Sequence, residues 1–176
     1  MKKILLILAI IPSIFLTSCG PGKPLTPEEQ AVLDAKIKMY TEMFEQKSFA
    51  LEANTVYSKK GRSFQVNSTT NFVKLDKGTG VLQLSFYNLV GWNGIGGITL
   101  EGNVKNYKVN KGDGTRMPSV SFDMNGPLGW ATVRISINSS GFGRAVVDAG
   151  SSGGRITFSG PVSPLSQASI YQGHSL

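Results

Sequence analysis

At Ser48 the hydrophobic pattern of this chain changes period, and that switch limits its fold more than any other feature. Upstream, Leu33, Ile37, Tyr40 and Phe44 recur at helical spacing, with Val32, Met39 and Met43 widening the same face. Downstream, Phe49, Leu51, Ala53, Thr55 and Tyr57 alternate with polar or small residues. Val120, Phe122 and Met124 do the same, as do Ala131, Val133, Ile135 and Ile137. A period of two gives each strand one dry and one wetter face, which is antiparallel behaviour. Weaker strands of this kind are expected at 71–76, 81–88, 97–103, 105–110, 143–148 and 155–160.

The breaks between them are short and suited to turns. Asp76 to Gly80, Lys111 to Gly114, Asn125-Gly126-Pro127, Ser139-Ser140-Gly141 and Gly150 to Gly154 supply positive φ or stop strand pairing. Evenly spaced strands without a second helix read as a meander. The fold class is therefore mainly β (α+β). An N-terminal amphipathic helix packs on a curled antiparallel meander sheet or small barrel of about eight strands. Thr26-Pro27-Glu28-Glu29 marks the helix start, with Thr26 as cap, Pro27 at the first helical position and Glu29 completing a capping box. The helix is expected over 26–47, one β-domain over 48–161 and a loosely attached tail over 162–176.

The N-terminus carries a targeting signature. Met1-Lys2-Lys3 is followed by an uncharged run of 13 residues, Ile4 to Leu16. A membrane-spanning helix needs about 20 residues, so this run fits the apolar core of a signal peptide. Leu16-Thr17-Ser18-Cys19-Gly20 resembles the lipobox of bacterial lipoproteins. The resemblance implies a signal peptide over 1–18, cleavage after Ser18, lipid attachment at Cys19, and a tether through Leu25. Two or three acyl chains anchor a protein stably, whereas one does not. Cys19 is the only cysteine, which leaves no internal disulfide and no cysteine-based zinc cluster.

Loss of Lys2 and Lys3 with the signal segment lowers the formal charge from +7 to +5. The remainder is uneven: residues 20–47 carry −1 and residues 48–176 carry +6. A basic exported domain can meet anionic headgroups, polysaccharide or peptidoglycan, against the preferred reading of scattered solvated lysines, and no dense basic face points to nucleic acid.

Chemistry is sparse. The one histidine, His174, lies near the C-terminus, which disfavours a Ser-His-Asp triad and histidine metal sites. No phosphate loop, H-E-x-x-H or G-x-S-x-G occurs. Paired carboxylates from Glu52, Glu101, Asp123 and Asp148 are the remaining route to a hydrolase, against the reading of four solvated acids. No catalytic residue, metal or cofactor is expected. Gly91-Trp92-Asn93-Gly94-Ile95-Gly96-Gly97 reads as a strand corner, or as a binding loop with Trp92 as its anchor. Trp130 and Tyr87, the latter on the parity of Gln83 and Ser85, either cover the sheet's second face or line a pocket. Arg62 closes a basic turn, Tyr57 to Arg62, that suits an anion or simply faces solvent.

Several strand segments carry a family likeness. They are Phe49 to Tyr57, Gly96 to Gly102 running on to Asn106-Tyr107-Lys108-Val109, Ile135 to Gly141, and Ile156 to Gly160. With the lipobox they resemble an uncharacterised family of small Bacteroidota lipoproteins, a domain of unknown function. The resemblance covers about residues 30–160 and brings no catalytic or binding residue. It implies a lipid-anchored envelope protein of that phylum. Gly20 to Pro24 lacks the acidic residues of surface-exported members, which points to the outer membrane facing the periplasm. The expected function is a non-enzymatic anchored protein whose β-domain binds another envelope component. The alternative is a lipocalin-like carrier of a small apolar ligand, which requires an apolar cavity with an open mouth.

Overall fold

The computed structural model describes residues 24–86, 94–150 and 154–175. Among the described residues one α-helix, α1 (Pro27–Gln46), precedes ten strands. These are β1 (Ser48–Glu52), β2 (Thr55–Ser58), β3 (Ser63–Gln65), β4 (Phe72–Asp76), β5 (Thr79–Ser85), β6 (Gly97–Asn110), β7 (Ser119–Gly126), β8 (Gly129–Ile137), β9 (Phe142–Ala149) and β10 (Gly154–Pro164). All pairings are antiparallel, and neighbours from β4 to β10 are consecutive in sequence. β1 pairs with β4 on one edge and with β10 on the other, closing an eight-strand barrel. The expected curled sheet is thus a barrel.

Helix α1 begins as its residues dictate. The Thr26 hydroxyl accepts from the Glu29 amide at 3.2 Å, and the Glu29 carboxylate accepts from the Thr26 amide at 2.8 Å. The buried face is narrower than the periodicity suggested. Tyr40, Met43 and Phe44 are buried and Leu33 and Ile37 half-buried, but Val32 and Met39 are 57% and 53% exposed. The reason is where the helix lies: across one end of the barrel rather than along a sheet face. Gln30 Nε2 reaches Gly114 O at 2.8 Å, Lys36 Nζ reaches Ser139 O at 2.8 Å, and Thr41 Oγ1 reaches Lys111 O at 3.1 Å. These are loop carbonyls at the rim. Phe44 meets Phe49 edge-on with ring centroids 5.0 Å apart, and Tyr107 donates its hydroxyl to Phe44 O at 2.5 Å. Burial pushes that phenol well above its ordinary pKa, so it remains a donor.

The interior is a packed core. Phe49, Leu51, Val73, Leu75, Phe122, Met124, Val133 and Ile135 are each at most 1% exposed and belong to one cluster. Gly80 faces Met124 across this interior: a Cβ there would stand 2.8 Å from the Met124 sulfur. A large side chain opposite a glycine fills the space between curved strands.

Three sequence expectations need correction. The strand expected from Phe49 to Tyr57 breaks at Ala53-Asn54, and its phase slips by one. Val56 is therefore buried, while Thr55 and Tyr57 are half-buried. The break lets the chain change partners, because Asn54 N donates to Ser159 O while Ala53 N donates to Asn71 O. The segments at 97–103 and 105–110 are one strand, β6, with a register shift between Lys105 and Lys108 that absorbs the irregularity. The tail is not loose. β10 runs on to Pro164, and the residues beyond it lie on the outer face of β1, β4, β5 and β6. Gln83, outward on β5 and fully buried, explains the docking. Its Nε2 donates to Thr70 O and Tyr171 O at 3.1 and 2.8 Å; its Oε1 accepts from Thr99 Oγ1 and Gly173 N at 3.0 and 2.8 Å. Ser169 N adds a bond to Glu52, and Gln172 Nε2 one to Glu101.

Candidate binding surfaces at the distal end and outer wall

The two barrel ends differ. Helix α1 covers one; apolar side chains mark the other. Ile98 pairs with Leu84 and has its inward parity, yet is 57% exposed, and Leu84 and Leu100 beside it are half-buried. The β2–β3 hairpin reaches this distal end. Its Phe64, 40% exposed, meets Phe86 edge-on at 6.0 Å between centroids. Phe64 lies on β3 and Phe86 just beyond the end of β5, strands that are not sheet neighbours, so the hairpin leans over the rim. β3 is also the terminal strand of the sheet, with Ser63, Phe64 and Gln65 all exposed.

The outer wall of β6–β10 is the second surface. Outward positions carry Lys105, Lys108, Arg134, Arg144 and Arg155 against Glu101, Asp123 and Asp148. A groove of about 600 Å³ runs along this wall, lined by Lys108, Arg134 and Arg155 together with Ser119, Ser121 and Ser136. Arg155 grips Asp148 with Nε at 2.7 Å and Nη2 at 3.2 Å, and Arg134 Nη1 adds 2.9 Å. Arg155 first, then Arg134, hold the Asp148 carboxyl below the usual aspartate range. Asn106 Nδ2 and Thr132 Oγ1, each at 2.8 Å, do the same for Asp123.

A group with a depressed folded pKa adds stability above its unfolded value and loses it as pH falls through the folded one. The expected NMR titration shows both carboxyls with midpoints below ordinary aspartate. In Arg155→Gln the Asp148 midpoint rises towards the ordinary value, while that of Asp123 stays.

Each of the four strand carboxylates has its own hydrogen-bond partners. Asp123 and Asp148 flank Thr132 on adjacent strands, but both are pushed towards ionisation, whereas glycoside hydrolysis needs one held protonated. Glu52 and Glu101 bind the C-terminal segment instead. Among the described residues no cluster of His, Cys, Asp or Glu could hold a metal, and no helix is long and apolar enough to cross a membrane.

The sequence-singled residues are dispersed. Trp130 stands outward on β8, 51% exposed and away from α1, so it neither lies under the helix nor lines an interior pocket. Arg62 is exposed in the β2–β3 turn, where its carbonyl accepts from Ser58 N at 2.9 Å. Cys19, Tyr87 and Trp92 lie outside the described residues. Phe64, Phe86 and Ile98 escaped the sequence reading because only the sheet register and the lean of the hairpin bring them together. The wall cations escaped it because they come from four strands.

A family model described as a domain of unknown function, DUF4251, matches residues 32–166. The chain belongs to this family. A crystal structure of a DUF4251 protein from Bacteroides eggerthii is similar to it, with 30% identity and a TM-score of 0.63. That likeness covers 79% of this chain and 94% of the other. No curated protein matches. The DUF4251 match spans from within α1 to just beyond β10, so the helix-capped barrel is the unit of the family.

Proposed function

We propose that this chain is a non-enzymatic, lipid-anchored envelope protein whose barrel binds an apolar segment of another envelope protein at its distal end. The observation that carries this reading is Ile98: an inward-facing barrel residue that is 57% exposed, at the same end of the barrel as the Phe64–Phe86 ring pair. Exposed apolar groups gathered at one rim are characteristic of interaction surfaces. The N-terminal run, Cys19 and the short tether support the anchor. Barrel closure also suits a carrier, but Phe49, Leu51, Phe122 and Met124 belong to one buried cluster inside the barrel, which favours the rim over the interior as the binding surface.

Photo-crosslinkers placed at Phe64 and Ile98 in cells of the source bacterium are expected to give a discrete adduct with one envelope protein. A crosslinker at Lys77, in the β4–β5 turn at the helix end, is expected to give none. Ile98→Asp should abolish the adduct while moving Tm by no more than about 2 °C, since an exposed substitution costs little. Adducts from every position, or from none, defeat the reading. A bound mass of a few hundred daltons in native mass spectrometry would replace it with the carrier. Palmitate labelling lost in Cys19→Ala tests the anchor separately.

A further inference from the structure

The outer wall of β6–β10 combines two features that recur on proteins lying against lipid. Cations stand in a row of strands, and an exposed indole stands beyond them. On β8, Trp130, Thr132, Arg134 and Ser136 share the outward face, with Lys108 on β6 and Arg155 on β10 to either side. Leu128, 46% exposed in the β7–β8 turn, adjoins Trp130. Five cations on this wall, Lys105, Lys108, Arg134, Arg144 and Arg155, stand against three carboxylates, Glu101, Asp123 and Asp148, so the wall keeps an excess of positive charge although Arg134 and Arg155 are paired with Asp148.

Its position matters as much as its chemistry. Leu25, where the tether joins the helix, lies with Thr115, Met117, Asn138 and Ser139 around one groove. Those residues sit in the loops at the helix end of β6–β9, the strands that form most of the wall. The six residues from Gly20 to Leu25 span about 20 Å at most, so an anchored lipid would hold this side of the barrel within reach of the headgroups.

We propose that this wall is the membrane-facing side of the protein: Lys108, Arg134 and Arg155 engage anionic phospholipid headgroups, while Trp130 and Leu128 enter the interface. The assignment rests on the reading of a lipid-anchored envelope protein, but its test does not need the anchor. Pressed against the bilayer in this way, the barrel presents its distal rim to the side, clear of the anchor. An indole at headgroup depth, with arginine and lysine beside it, is the usual interfacial arrangement.

The test uses residues 20–176 without acyl groups, which include every described contact. Trp92→Phe leaves Trp130 as the sole tryptophan of the chain. At low salt this protein is expected to cosediment with vesicles of mixed phosphatidylglycerol and phosphatidylcholine, and not with phosphatidylcholine alone. Trp130 emission should shift to the blue and be quenched by lipids brominated near the headgroup. Lys108→Ala with Arg134→Gln should weaken partitioning by about tenfold or more, from the usual contribution of a cation near an anionic surface. Lys60→Ala with Arg62→Ala, equal in charge but at the distal turn, should change it far less.

Equal loss in the two double variants would mean net charge rather than this wall, and would overturn the assignment. So would an unshifted Trp130 emission in bound protein, or no binding at all. Competition by inorganic phosphate would reassign the groove to isolated phosphoryl groups. Palmitate labelling is indifferent to these outcomes, so failure of the wall and failure of the anchor are separable.

Discussion

Replacing Gly160 with alanine should open the barrel at its seam. Gly160 lies on β10 where that strand passes from β2 to β1, and a Cβ there would sit 1.9 Å from the carbonyl oxygen of Glu52. No rotamer relieves that overlap, because the backbone fixes the position of the Cβ and the oxygen is itself backbone. The strands must part, and the pairs Phe49–Pro164, Ala50–Ser163 and Leu51–Val162 are the ones that close the ring. The expected loss is about 3–5 kcal/mol, at the upper end for a single substitution, which lowers Tm by roughly 10 °C in a domain of this size. Urea denaturation should also show a reduced m-value if the folded state itself has opened. An unchanged midpoint would mean that the seam does not hold the barrel closed.

Gln83→Leu is expected to release the C-terminal segment. The side chain is similar in volume and the site is dry, so packing survives while the polar network does not. The substitution removes the donor to Thr70 O and Tyr171 O and the acceptor for Gly173 N and Thr99 Oγ1. Stranding buried partners costs about 1–3 kcal/mol each until water reaches them. The cheapest relief is for Tyr171 and Gly173 to leave the sheet. Hydrogen exchange should therefore show lost protection at Tyr171 and Gly173, with a drop of about 2–3 kcal/mol in overall stability. Loss of stability with full protection of those amides would place the damage in the barrel instead.

Much of this fold was legible because it is written locally. Thr26 and Glu29 specify the helix start through bonds three residues apart. The alternation at Val120 to Met124 and Ala131 to Ile137 fixes which face is dry, and register follows from it. What stayed hidden depends on partners distant in sequence. The phase slip at Ala53-Asn54 follows from a choice between Asn71 and Ser159 as acceptors. β3 is three residues long and held only by β2, too short for a periodic signal. Gln83 reads as an ordinary outward polar residue until Tyr171 and Gly173 arrive to bury it. Val32 and Met39 misled because a helix laid across a rim buries less of its girth than one laid along a sheet. At the candidate surfaces, Trp130 was visible as a residue on the wrong parity for the core. The meeting of Phe64 with Phe86, and of Lys108 with Arg134 and Arg155 around one groove, exists only once the strands are assembled.

The ring also sets an order of assembly. From β4 to β10 each strand meets the one made just before it, so a growing ribbon can add hairpin after hairpin with little loop entropy to overcome. β1 is different: its β10 partner is among the last segments made. Until Pro164 has emerged, the ribbon has two long bare edges that another nascent copy can pair with. Maturation of this protein should therefore be limited by a single circularisation step, late and non-local, and crowding before that step is where swapped or aggregated chains would arise.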